Sequence, residues 1–298
     1  MSKLPMNKRL WLFTSMFLVL SACAGSGPEI EPADKTSQET MQALADKTLS
    51  KMQVVFPPDP ELLPGENRLV FAVLDAGGQL IRDKKLVLYY AKGQDESAKG
   101  PIAVTFEDDG LGDRSFYKAQ VDFPSVGKWL VLVREDAPGN VEGAGTQMEV
   151  VATSKVVRAG DKAISVKTPT TQDHLGLQDI CTGEPEDPMH YISLDDALKN
   201  GKPTVLVFAT PKLCASRVCG PVVDQVLRVY NDLKEKVNFI HVEVFSDETG
   251  KEFTPAMKDW KLETEPWTFI IDDHGIVQGR LEGPVTTGEL RSALKDLE

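Results

Sequence analysis

The spacing of apolar residues divides this chain into stretches of different character. Lys3, Lys8 and Arg9 precede a continuous apolar run, Leu10–Leu20, which ends at Leu20-Ser21-Ala22-Cys23. The run is shorter than the ~20 residues a helix needs to cross a bilayer, but it suits the apolar core of a secretory signal. Residues 24–61 are polar, with prolines at both ends. Within them Met41, Leu44, Leu49 and Met52 give Thr36–Met52 some helical periodicity. This predicts a tether with one loosely held helix. From Asn67 to about Val151 the period shortens. Leu69–Leu74, Lys85–Tyr90, Ile102–Phe106, Phe116–Phe123, Lys128–Val133 and Gln147–Val151 read as strands, separated by Ala76-Gly77-Gly78, Asp109-Gly110 and Val126-Gly127. Arg158–Pro188 is rich in glycine and proline and has little periodicity, as a linker would.

The final stretch alternates between element types. Ser193 is placed to cap a short helix with Asp195 and Asp196 in its first turn, and Gly201 ends it. Val205–Ala209 reads as a strand, Gly220–Lys236 as a helix, Phe239–Phe245 as a strand and Pro255–Trp260 as a short helix. Trp267–Asp272 and Ile276–Leu281 read as a hairpin, and Thr287–Leu297 as a last helix capped by Thr287. The expected architecture is therefore multidomain. Residues 63–152 form an all-β, immunoglobulin-like sandwich that acts as a spacer or docking module. A linker at 153–192 follows, and then a C-terminal α/β domain at 193–298, in which Val205–Ala209 pairs in parallel with Phe239–Phe245.

Composition narrows the partners. At 298 residues the chain is long enough for two domains. A net charge of −12 argues against nucleic acid and against anionic lipid headgroups. Of the four cysteines, Cys181, Cys214 and Cys219 follow the sandwich, which itself has none. One pair and one leftover thiol is the simplest inventory in an oxidising compartment. Cys214 and Cys219 lie between the end of a buried strand and the start of a helix, whose free N–H groups favour a thiolate. Residues five apart on a helix point about 140° apart, so a disulfide between them needs one partner outside the helix. Cys214 is expected on the loop as nucleophile, flanked by Lys212 and Arg217, with Cys219 at the helix entrance as the resolving thiol. The alternative is a permanent disulfide that staples loop to helix. Cys181 is expected to be unpaired. No cofactor or bound metal is expected.

Two resemblances add to this. Leu20-Ser21-Ala22-Cys23 resembles a bacterial lipobox. That implies a lipoprotein signal peptide at 1–22, lipid (palmitate) on Cys23, a tether at 23–62, and a place on the extracytoplasmic face of a membrane in the cell envelope. Residues 193–298 resemble the thioredoxin fold. The matching features are the exit Phe208-Ala209 toward Cys214, Pro221 early in the next helix, and Glu265-Pro266 before a buried strand. The last looks like the cis-proline loop that clamps an extended partner. More narrowly, the chain is similar to exported bacterial thioredoxin-like lipoproteins in which a β-sandwich precedes a Cys-x-Ser-Arg-x-Cys-Gly-Pro motif; that resemblance carries fold, not an activity. The thioredoxin-fold resemblance implies Cys214 and Cys219 as the redox pair and Glu265, Pro266 and Trp267 as the substrate-binding segment, acting on exported proteins with thiols or disulfides. Thioredoxins have two residues between their cysteines. Here four intervene, and Leu213 stands where a tryptophan is usual. Sco-type copper chaperones offer another reading, with His241 and Met257 as candidate additional ligands. A docking protein with a structural disulfide is a third. The peroxiredoxin pattern is not met, since Val207 and Pro211 occupy its proline and threonine positions.

Overall fold

The computed structural model describes residues 36–58 and 60–297. The expected signal peptide and Cys23 lie outside the described residues. None of the helices among the described residues is long and apolar enough to cross a membrane.

The first half is a two-sheet sandwich. One sheet contains β1 (Thr36–Thr40), β2 (Thr48–Leu49), β5 (Leu86–Ala91), β6 (Ser97–Ala103), β9 (Gly127–Glu135) and β10 (Val141–Val150), in the order β1-β6-β5-β9-β10-β2. The other contains β3 (Gln53–Val55), β4 (Gly65–Leu74), β7 (Thr105–Glu107) and β8 (Phe116–Phe123), in the order β3-β4-β8-β7. Alternate residues of facing strands, among them Phe71, Val73, Leu88, Tyr117, Phe123 and Val133, fill one shared core. The alternation that marked these strands in the sequence is thus the inward-facing set.

The expected tether is built differently from Thr36 onward. β1 pairs antiparallel with β6, β2 pairs in parallel with β10, and β3 pairs antiparallel with β4. The helix is only α1 (Met41–Asp46), capped by the Thr40 hydroxyl, which accepts from the Ala43 N–H. Met41 and Leu44 pack on Ala91, Ala98 and Leu132, so the helical spacing was real but short. The sequence Thr-Ser-Gln-Glu-Thr at 36–40 has no apolar alternation. An edge strand held by backbone hydrogen bonds leaves no such trace.

The C-terminal domain holds a four-stranded sheet of β11 (Thr204–Phe208), β12 (Asn238–Val242), β13 (Trp267–Ile271) and β14 (Val277–Glu282), in the order β12-β11-β13-β14. β11 and β12 are parallel, as expected, and the other two pairings are antiparallel. Every residue of β11, β12 and β13 is buried, because both faces are covered. Leu206, Phe208, Ile240 and Phe269 pack on one side with α2 (Leu194–Ala197) and α4 (Pro255–Asp259). Val205, Val207, Phe239 and Ile270 pack on the other with α3 (Cys219–Leu233) and α5 (Thr287–Leu294). Thr286, not Thr287, caps α5, in a reciprocal capping box with Glu289.

Residues 153–192 form no helix or strand, yet they belong to this domain rather than spanning between domains. Gly160 donates to Val277 O at 2.8 Å, Val277 donates to Asp161 O at 2.9 Å, and His241 donates to Met189 O at 2.9 Å. The two edge strands, β14 and β12, are each covered by this segment. Backbone groups that an edge would leave unpaired are satisfied there. The segment folds without periodicity because it contributes backbone contacts and isolated anchors such as Val156 and Ala163.

The sandwich and the α/β domain meet through charged contacts. Arg68 of β4 binds Glu289 through two hydrogen bonds of 2.8 and 2.9 Å, and also donates to Glu282 O and Pro284 O. Arg68→Ala should leave the largely buried Glu289 carboxylate to the weaker Lys118 contact at 3.2 Å and destabilise the protein by roughly 2 kcal/mol. Urea denaturation of the full chain measures this, and an unchanged midpoint would count against the contact.

Candidate active site

β11 delivers the chain at Ala209 into the loop that carries Cys214. Thr210, 1 % exposed, organises that loop. Its carbonyl accepts from Cys214 N–H at 3.1 Å, its hydroxyl accepts from Val244 N–H at 2.8 Å, and its own N–H donates to Glu265 Oε2 at 2.6 Å. Arg217 N–H then bonds Cys214 O at 3.1 Å, and Arg217 adopts a left-handed φ of 58°, which turns the chain toward α3. Cys219 is the first residue of α3. Pro221 sits in the first turn, where a missing N–H deprives the helix of no bond.

This geometry brings the two thiols together. Cys214 and Cys219 form a disulfide with Cα atoms 6.0 Å apart, one on the loop and one in the helix, as their spacing required. The Cys219 N–H points at Cys214 Sγ, 3.3 Å away, and the Ser216 hydroxyl lies 3.3 Å from the same sulfur. Both are groups that could stabilise a thiolate there. Cys214 is 8 % exposed and Cys219 fully buried, so an incoming group reaches Cys214 first.

Glu265 joins them. The Glu265–Pro266 peptide is cis, and a Glu265 carboxylate oxygen lies within 4.8 Å of both sulfurs. Burial pushes the Glu265 carboxyl up to about 7. Glu243 adds to that, while the Thr210 N–H and His241 act against it. A carboxyl that titrates near neutrality beside a disulfide can carry the proton that thiol exchange moves. Trp267, expected in the substrate-binding segment, is buried. It is 3 % exposed, stacked on Phe269 with ring centroids 5.9 Å apart, and its indole N–H bonds Thr264 Oγ1. Its first role is packing.

The copper arrangement is not assembled. His241 Nδ1 lies 2.7 Å from Asp187 Oδ2 and its Nε2 lies 2.9 Å from Ala209 O. Met257 packs in the core on the opposite face of the sheet from the cysteine pair. His241 belongs instead to a second buried group with Cys181, Asp187 and His190. Burial opposes ionisation of Asp187, yet His190 and His241 hold its carboxyl well below the usual range. Burial likewise opposes protonation of both imidazoles, and Asp187 reverses that effect. Cys181 is unpaired, as expected. Asp187 and His190 escaped the sequence reading because they sit in a stretch with no period. The visible signal was two of the chain's four histidines, one of them alternating with apolar residues in a strand.

No family model and no curated protein matches the chain. Solved structures are similar to parts of it. A Chlorobium tepidum protein described as thiol:disulfide interchange protein DsbE is 16% identical; the match covers 47% of this chain and 98% of that one, with a TM-score of 0.35. StoA from Bacillus subtilis is 18% identical over 39% of this chain and 94% of its own, with a TM-score of 0.28. The Lin-41 filamin domain is 12% identical over 35% of this chain and 95% of its own, with a TM-score of 0.25.

Proposed function

We propose that this protein is a membrane-tethered, extracytoplasmic thiol–disulfide oxidoreductase acting on exported proteins. The observation that carries the reading is the Cys214–Cys219 disulfide with the Glu265 carboxyl within 4.8 Å of both sulfurs, beside the cis bond to Pro266. In the reductive direction, a partner thiolate attacks Cys214 Sγ. The Cys214–Cys219 bond breaks, a partner–Cys214 disulfide forms, and the electron pair leaves on Cys219 Sγ. Neutral Glu265 gives that sulfur its proton and becomes a carboxylate. In reverse, Glu265 takes the proton from Cys219, whose thiolate then expels the partner. Pro266 flanks the cysteines and orients the partner's extended strand.

A titration of the full chain in defined glutathione buffers, with mass mapping of the cysteines, tests this. Reversible two-electron conversion of Cys214–Cys219 at the potentials of exchanging protein disulfides is the expected result. A pair that stays oxidised until well below about −300 mV is a staple, a reading in keeping with the full burial of Cys219. The tether has its own check. Cys23→Ser should release the protein from membranes or block its processing, and unchanged membrane retention would point to another anchor.

A further inference from the structure

The buried group behind the catalytic loop has the composition and geometry of a metal centre. Cys181 Sγ, Asp187 Oδ2, a nitrogen of His190 and a nitrogen of His241 all lie within 4.8 Å of one another, and all four residues are buried. Three short separations radiate from Asp187 Oδ2: 3.2 Å to Cys181 Sγ, 3.6 Å to His190 Nε2 and 2.7 Å to His241 Nδ1. A tetrahedral zinc ion with sulfur at about 2.3 Å and nitrogen or oxygen at about 2.0–2.1 Å spaces its donors roughly 3.3–3.6 Å apart. The contacts of Asp187 Oδ2 with Cys181 and His190 lie close to that spacing, the His241 contact would have to lengthen by about half an ångström or more, and the remaining donor pairs lie within 4.8 Å.

The supporting contacts are those of a ligand set. His241 Nε2 faces Ala209 O at 2.9 Å, which fixes Nδ1 as the free donor. Asp187 Oδ1 accepts from Met189 N–H at 2.9 Å, leaving Oδ2 to bind. Asp187 N–H points at Cys181 Sγ at 3.4 Å, a contact that suits a thiolate. Backbone contacts of this kind, made here by three of the four residues, are typical of metal sites. His190 supplies the independent observation. It is 2 % exposed, and neither ring nitrogen has a hydrogen-bond partner, although Nε2 is aimed at Asp187 and sits beyond hydrogen-bond length. An imidazole buried with no hydrogen bond, and only a carboxylate 3.6 Å away, is costly. Ligation through Nε2 would satisfy it.

We infer that Cys181, Asp187, His190 and His241 form a closed, structural site for a Zn(II)-class divalent ion. One thiolate, one carboxylate and two imidazoles are a borderline-soft set. Calcium or magnesium would need more oxygen ligands than the single carboxylate here. Two anionic ligands also balance the ion's charge, so the centre is neutral in the core. Four protein donors leave no open position, which makes the ion a brace rather than a catalyst. It pins the non-periodic segment 181–190 to His241 on β12. That segment also supports the catalytic loop, because Thr182 Oγ1 accepts from Lys212 N–H at 3.2 Å. Binding displaces the Cys181 proton and those shared between Asp187 and the imidazoles. The site stands on its own residues and does not depend on the redox reading.

The test uses the purified full chain, metal-stripped and reduced, titrated with Co(II) and then with Zn(II) against a competing chelator. About one equivalent of Co(II) should bind with tetrahedral d–d bands and a sulfur-to-cobalt charge-transfer band, and Zn(II) should displace it. Cys181→Ser should remove the charge-transfer band, and His190→Ala should weaken Zn(II) binding by at least about 10²-fold. His190→Ala is the decisive variant, since no hydrogen bond of the metal-free fold uses that ring. Circular dichroism should show it folded, and Zn(II) should raise the melting midpoint of the unsubstituted protein but not of this variant. The double variant Cys214→Ser/Cys219→Ser should retain the ion and its spectrum. Failure to bind a stoichiometric ion, equal affinity in His190→Ala, or loss of binding in the double variant would each overturn the inference.

Discussion

Cys219→Ser should turn the protein into a trap for its partners, held as mixed disulfides through Cys214, while Cys214→Ser should capture at least about tenfold less. The asymmetry follows from position. Cys214 is on the loop and keeps the accessible sulfur, whereas Cys219 opens α3 and is fully buried. With Cys219 gone, the partner–Cys214 bond forms but no neighbouring thiolate can break it. Both variants lose the same native disulfide. Its short loop makes the stability cost about 2 kcal/mol in each, so the comparison between them is insensitive to that loss. Non-reducing separation of envelope proteins, followed by mass identification, reads the outcome. Equal destabilisation of the two variants with no captured protein in either would identify the disulfide as structural and sink the oxidoreductase reading.

Glu265→Gln should move activity and stability in opposite directions. If the neutral acid delivers a proton to Cys219 as the disulfide opens, as proposed, its loss should slow reduction by a thiol donor by about 10²-fold. It should also remove an inflection near pH 7 from the rate profile, where Glu265 titrates. The sign for stability is the reverse. The folded carboxyl is raised from 4.5 to about 7, so the folded state holds the proton more tightly than the unfolded chain does. Stability from this group is therefore greatest below pH 4.5, declines as pH rises through the interval, and is lowest above 7. Glutamine keeps an acceptor for the Thr210 N–H without the buried charge. At pH 8 it should stabilise the fold by something of order 2–3 kcal/mol, allowing for partial exposure of the site. Stopped-flow reduction and urea denaturation, each at pH 5 and pH 8, measure the two effects. A variant that is slower but no more stable at pH 8 would show that Glu265 acts through loop geometry alone.

The cysteine site was legible because each component leaves a local mark. A fully apolar pentapeptide predicts β11, a proline in the next turn predicts the entrance to α3, and the resemblance of Glu265-Pro266 to a cis-proline loop implies the loop opposite. Trp267 was ambiguous for the same reason that β13 was found. An aromatic residue at the start of a buried strand reads equally well as a clamp or as core, and only the stacking on Phe269 distinguishes them. The role of Glu265 depends on burial, which no spacing reports.

The sequence by itself determined the two-part architecture, the strands of the sandwich core, the parallel β11–β12 pair and the cysteines that could meet. All of these rest on periodicity, or on the reach of residues close together in the chain. Tertiary structure alone decided what the non-periodic stretches do. Residues 36–55 complete two sheets and residues 153–192 cover the edges of a third, through backbone bonds that constrain no side-chain pattern. It also decided that His241 meets Cys181, Asp187 and His190 rather than the cysteine pair. That meeting joins an aperiodic segment to a strand more than fifty residues away. Such contacts are set by how a chain packs over a sheet edge, and local sequence has no term for it.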